Sequence, residues 1–246
     1  EALRESEARY RGIFNAVTVS IWEEDFTAVI DLLNDLKAKG VTDFRAYLKA
    51  HLETVAEAAA RVKVLDVNAE SVRMFGAKDR QELLGSLDKI FVPETLSVFA
   101  EELAFIAEGG GYFEGDAVVQ TLQGKRLEIT FSINFPAPGE PFDRVLVNLL
   151  DITARKRHEA NLAFLADLQT EFAPMLSAAE IMHAAGERIA AHLGLTHCLF
   201  VEMNETASTA TVVHDQRAEG ANNLAGVYDL ADFHTADERA MLQRGE

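Results

Sequence analysis

The sequence predicts an α+β fold on three observations: five short runs rich in β-branched and aromatic residues, helical apolar spacing in the stretches around them, and a hydrophobic content of 48% that can fill a core. The first element is a helix over 1–17, because Leu3, Tyr10 and Val17 recur every seven residues with Ile13 between them, a stripe suited to a partner helix. Thr18 to Asp25 is a β-branched and aromatic strand. Phe26, Val29, Ile30, Leu33 and Leu36 stand at helical spacing with Gly40 as the stop, and Thr42 to Ala60 continues as a single Ala- and Leu-rich helix. Val62 to Asn68 alternates as a second strand. Asn68 caps a two-turn helix that ends at Gly76, Asp79 to Leu84 is another short helix, and Pro93 starts a longer one that stops at Gly109-Gly110-Gly111.

Three strands follow, Tyr112 to Leu122, Lys125 to Phe135 and Arg144 to Asp151. Gln123-Gly124 is a hairpin signal between the first two, and the Pro136 to Pro141 loop separates the last two. A helix over 154–176 carries Leu165, Leu168, Phe172 and Met175 at alternating spacings of three and four, the pattern of a dimer seam, until Pro174 ends or kinks it. Ser177 caps a further helix that Gly194 closes, and two strands come next, Thr196 to Asn204 and Thr209 to Asp215. After Asp215 the pattern fades, apart from a last short helix at Asp232 to Gln243.

The chain has 40 acidic and 23 basic side chains and a formal net charge of −17, spread over both halves, which argues against nucleic acid as a partner. A single cysteine, Cys198, excludes an internal disulfide and a thiolate metal cluster and fits a reducing, cytoplasmic setting. No apolar run approaches the roughly 18 residues of a membrane segment, and no signal peptide opens the chain. The missing initial Met and the mid-helix character of Glu1 to Ala8 point to a piece of a longer protein.

Along 18–153, Val67-Asn68-Ala69-Glu70, Met74-Phe75-Gly76, Glu82-Leu83-Leu84-Gly85 and the exit Asp151-Ile152-Thr153 before Arg155-Lys156 resemble, in order and spacing, the local signatures of a PAS domain. The resemblance implies a five-stranded antiparallel sheet facing inner helices, flanked by signalling helices at 1–17 and 154–176. It departs from the family over 26–61, which reads as a helical insertion, and the Trp22-Glu23-Glu24-Asp25 strand with that insert is similar to PAS modules of bacterial sensor kinases. Residues 177–246 resemble the first part of a GAF domain, cut short because about 70 residues cannot supply the whole. Tandem PAS and GAF modules imply that the chain comes from a sensor histidine kinase or related signalling protein, and that it forms a homodimer through the flanking helices.

Candidates for chemistry within the chain are few. His158-Glu159 resembles the start of a phosphoacceptor helix, but no Pro follows it at the family's spacing and no ATP-binding segment is present, so it reads as a solvated linker histidine. A flavin-cysteinyl adduct needs a cysteine within 18–153, where there is none, and an axial haem histidine is missing from 52–157, with His51 in the insertion. Cys198 reads as a small buried hydrophobe, and no metal site is expected. The adjacent pairs Glu23-Glu24, Glu101-Glu102 and Asp237-Glu238 diverge on any regular element and read as solvated charge.

What remains is binding. Trp22, Phe75, Phe91, Phe99, Phe131, Ile133 and Leu146 are the candidates to line a PAS-type pocket, though aromatic residues in a small domain also simply fill it. Asp151 and Thr153 are candidates to couple the last strand to the linker helix, with Leu165, Leu168 and Phe172 as its dimer seam. The leading expectation is a non-catalytic module that senses a small ligand or partner. A ligand-free dimerisation scaffold is the alternative, and an enzyme with an unrecognised site ranks last.

Overall fold

The computed structural model describes residues 2–85, 87–137, 139–204 and 208–229, so the helix expected at Asp232 to Gln243 lies outside the described residues. The chain divides into two compact units, 1–157 and 158–246.

The first unit opens with helix α1 (Ala2–Ala16), strand β1 (Ser20–Asp25) and helix α2 (Thr27–Ala38). Two helices, α3 (Phe44–Ala50) and α4 (Leu52–Arg61), stand where the composition had suggested one. The break is at His51, whose backbone leaves the helical region at φ −128° and ψ 67°. Its ring stacks on Tyr47 and its Nδ1 sits 2.8 Å from the Tyr47 carbonyl oxygen. The side chain thereby takes an acceptor that a continuous helix would give to the backbone.

Strand β2 (Lys63–Val67), helix α5 (Ala69–Met74), two 3-10 turns at Arg80–Glu82 and Leu87–Lys89, helix α6 (Pro93–Ala107) and strands β3 (Tyr112–Gln120), β4 (Arg126–Asn134) and β5 (Val145–Asp151) complete the unit. The five strands form one antiparallel sheet in the order β2-β1-β5-β4-β3, the mixed α+β architecture expected. Directly paired residues share a face, so Trp22 opposite Val147, Ile133 opposite Val147, Phe131 opposite Leu149 and Ala117 opposite Ile129 define the inner side. Helix α6 packs on β3 and against α3 and α4, and the core lies between these helices and the sheet.

The sheet's last strand runs almost without a break into helix α7 (Thr153–Phe172). Asp151 Oδ1 accepts from the Thr153 backbone N–H at 2.8 Å. Thr153 Oγ1 accepts from Glu128 N on β4 at 3.0 Å, and the buried Ile152 donates its N–H to the Glu128 carbonyl at 2.9 Å. Lys156 adds an ion pair to Asp116 on β3 at 2.9 Å.

In the second unit, the rest of α7 is followed by α8 (Ala178–Leu193) and an antiparallel sheet β6 (His197–Asn204), β7 (Thr209–Arg217) and β8 (Gly226–Asp229). Strand β8 was not anticipated after Asp215; at four residues it is too short to carry a periodicity of its own. Ser177 forms the expected cap, exchanging hydrogen bonds with Glu180 in a capping box, and Gly194 closes the helix at φ 63°.

Gly186 lets α8 approach this sheet closely. A Cβ there would stand 2.9 Å from Gln216 Cβ and 3.4 Å from Phe200 Cε2. Gly186→Val is therefore expected to destabilise the second unit by about 2 kcal/mol through overpacking. Amide exchange of β6 and β7 reads the effect, and unchanged protection would show that the helix does not press on the sheet.

Candidate functional site

Alternation along β1 turns Trp22 and Glu24 to the inner face, and Thr95, Phe99, Glu102 and Ile106 form a buried stripe along α6 at spacings of four, three and four. Between the two lies a cavity of about 60 Å³. Its walls are Trp22, Phe26, Phe91, Phe99, Phe131 and aliphatic residues from β3, β4 and β5, Ile133 among them. By water-sized occupancy this is room for roughly four to six groups, far less than the roughly 300–1,000 Å³ of a drug-sized pocket.

Five of the seven residues expected to line a pocket do so: Trp22, Phe91, Phe99, Phe131 and Ile133. Phe75, fully buried, sits behind Trp22 in an edge contact with ring centroids 5.2 Å apart, and does not reach the cavity. Leu146 is 44% exposed on the opposite face of the sheet. Val145, Val147 and Leu149 are the inward residues of β5, so the expectation for Leu146 was out of phase by one residue, which on a strand reverses the side chain.

The site's polar groups are the correction that matters most. Glu24 and Glu102 are not solvated charge; they are 3% and 4% exposed and both line the cavity. Their neighbours Glu23 and Glu101 do reach the surface side, ion-paired with Arg144 and Arg45. Burial pushes the Glu24 carboxyl up to about 8, and burial together with the nearby Glu24 raises Glu102 well above the carboxylate range. Among the described residues Glu102 Oε1 has no hydrogen-bond partner.

The other polar groups around the cavity are already engaged. Thr95 Oγ1 accepts from Val92 N at 2.9 Å and donates to the Val118 carbonyl at 2.5 Å. Trp22 Nε1 donates to Ser20 Oγ at 2.9 Å, away from the cavity lining.

None of the remaining candidates lines this cavity. His51 is bound to Tyr47, His158 is exposed, and Cys198 is half-buried on β6. Of the expected seam, Leu165 is 58% exposed, Phe172 is half-buried and Leu168 is 8% exposed. That unit's helices also meet through Phe164 stacked on His192 and an Arg188 to Glu171 ion pair at 3.3 Å. Among the described residues no group of three or more His, Cys, Asp or Glu could hold a metal ion, and no helix is long and apolar enough to cross a membrane.

No protein-family model and no curated protein matches the chain. Solved structures do. A PAS domain from Colwellia psychrerythraea is 15% identical, covering 63% of this chain and 99% of that one with a TM-score of 0.40. A domain of a sensory box sensor histidine kinase/response regulator from Geobacter sulfurreducens is 18% identical, with 61% and 96% coverage and a TM-score of 0.36. The PAS domain of an HTR-like protein from Haloarcula marismortui is 17% identical, with 61% and 95% coverage and a TM-score of 0.37.

Proposed function

We propose that the first unit is a PAS-type sensory module, without catalytic activity of its own, that senses a small ligand and relays its binding through the Asp151 to Thr153 joint into α7. The observation that carries this reading is the cavity with an unsatisfied carboxyl oxygen, walled in part by β5, whose end becomes α7 within a few residues. A ligand that binds better to one arrangement of the sheet shifts the population of the joint, because Glu128 on β4 holds both Ile152 and Thr153.

On this reading 26–61 is a helical insertion in the module, 177–246 belongs to a GAF-like segment, and the chain serves a two-component-type signalling protein in the cytoplasm. Dimerisation would use the outer sheet face and α1, where Tyr10, Ile13, Val17, Leu146 and Leu150 are all exposed apolar side chains.

Asp151→Ala tests the relay. Loss of the Asp151 contact removes about 1 kcal/mol from the first turn of α7. Amides of 153–156 are then expected to exchange about fivefold faster with the sheet core unchanged. Equal protection in the variant would remove the joint from the mechanism. A small molecule retained by the purified chain in native mass spectrometry supports sensing, whereas a cavity that takes none favours the scaffold reading.

A further inference from the structure

We infer that the cavity takes a small protonated amine, held by the carboxyls of Glu24 and Glu102 with its carbon skeleton against the aromatic walls. This rests on the ligand-sensing reading and names the ligand's class. Beyond the two glutamates the lining is apolar except for Thr95, whose hydroxyl is satisfied, and the Trp22 N–H is spent on Ser20. The protein therefore presents oxygens and rings but no free donor other than a protonated carboxyl. A complementary ligand brings N–H donors and positive charge.

Ionising two acids in such a place is unfavourable unless a counter-charge arrives, and an ammonium supplies it while its hydrogens reach the orphaned Glu102 Oε1. Trp22, Phe26, Phe91 and Phe99 tolerate a cation as an aliphatic wall does not. The small volume limits the ligand to a few heavy atoms, so affinity lies in the millimolar range.

Trp22 is the single tryptophan and lines the cavity, so its fluorescence reports occupancy. The full chain is titrated with ethylammonium chloride, and separately with ethanol as the neutral probe of equal size, at constant ionic strength and about pH 8.5. Ethylammonium is expected to bind at least about tenfold more tightly than ethanol. Glu102→Gln and Glu24→Gln, each first confirmed to fold, are expected to lose about tenfold or more for the cation alone. Glu24 and Glu102 are the titratable groups in the lining, from β1 and α6, and β3, β4, β5 and the Leu87 to Phe91 turn contribute none. Cation affinity therefore rises as pH increases from about 6 to about 8.5.

Equal binding of both probes, or cation binding undiminished in both Gln variants, overturns the amine assignment and leaves small-molecule sensing standing. No binding by either probe, nor by a panel of similarly sized amines and alcohols, removes both.

Discussion

At about pH 8.5 the Glu24→Gln chain is expected to be more stable than the unsubstituted one by on the order of 3 kcal/mol, a reversal of the usual cost of altering a buried residue. Glu24 is desolvated and has no ion-pair partner among the described residues, and burial pushes its pKa up to about 8 against an ordinary 4.5. The folded state then binds protons more tightly than the unfolded one. Stability from this group is complete below about pH 4.5 and is lost as pH rises through about 8. Glu102 acts in the same direction, with its carboxyl raised further by Glu24. Gln keeps the shape of the protonated acid, carries N–H donors in place of its O–H, and cannot ionise. The gain should thus be near zero at about pH 4 and grow steadily above it. Urea unfolding followed by Trp22 fluorescence across this range checks the result. A Gln variant no more stable than the parent at high pH would mean that the folded unit stabilises the carboxylate after all.

Asn68→Ala is expected to cost about 3–5 kcal/mol, because this side chain is the polar hinge of the first unit. It is fully buried and makes five hydrogen bonds. Nδ2 donates to the carbonyls of Phe14 at 3.1 Å and Val19 at 2.8 Å. Oδ1 accepts from Ile21 N at 3.1 Å, Ser71 N at 3.0 Å and Ser71 Oγ at 2.8 Å. Truncation orphans groups on the end of α1, on β1 and on α5 at once, each carrying about 1–3 kcal/mol of desolvation. Asn68→Asp does not rescue, since a charged oxygen would then face the Phe14 and Val19 carbonyls. The urea midpoint at neutral pH measures both variants, and a loss below about 1 kcal/mol for Asn68→Ala would show that water replaces the side chain.

The sequence located Asn68 as a cap, and the Ser71 N–H contact bears this out. Its reach back to Phe14 and Val19 was beyond local reading, because those partners lie 54 and 49 residues away in the chain. The candidate pocket divides in the same manner. Trp22, Phe91, Phe99, Phe131 and Ile133 were legible as large apolar residues on regular elements, whereas Leu146 failed on the phase of a nearly continuous apolar strand, Val145 to Leu150, whose composition marks no preferred face.

The local pattern already places the two glutamates on inner faces. Glu24 falls between Trp22 and Phe26 in the alternation, and Glu102 continues the Thr95 and Phe99 stripe. Each acid stands next to a second glutamate that turns to the surface side, so the pair looks like solvated charge in the sequence.

The sequence by itself determined where most helices and every described strand except β8 begin and end, since capping groups, glycine stops and apolar periods act within a few residues. The tertiary structure alone decided which acids lose their water. Whether a carboxyl is hydrated depends on what covers it, and the covers of Glu24 and Glu102 come from distant strands and helices brought together only by folding.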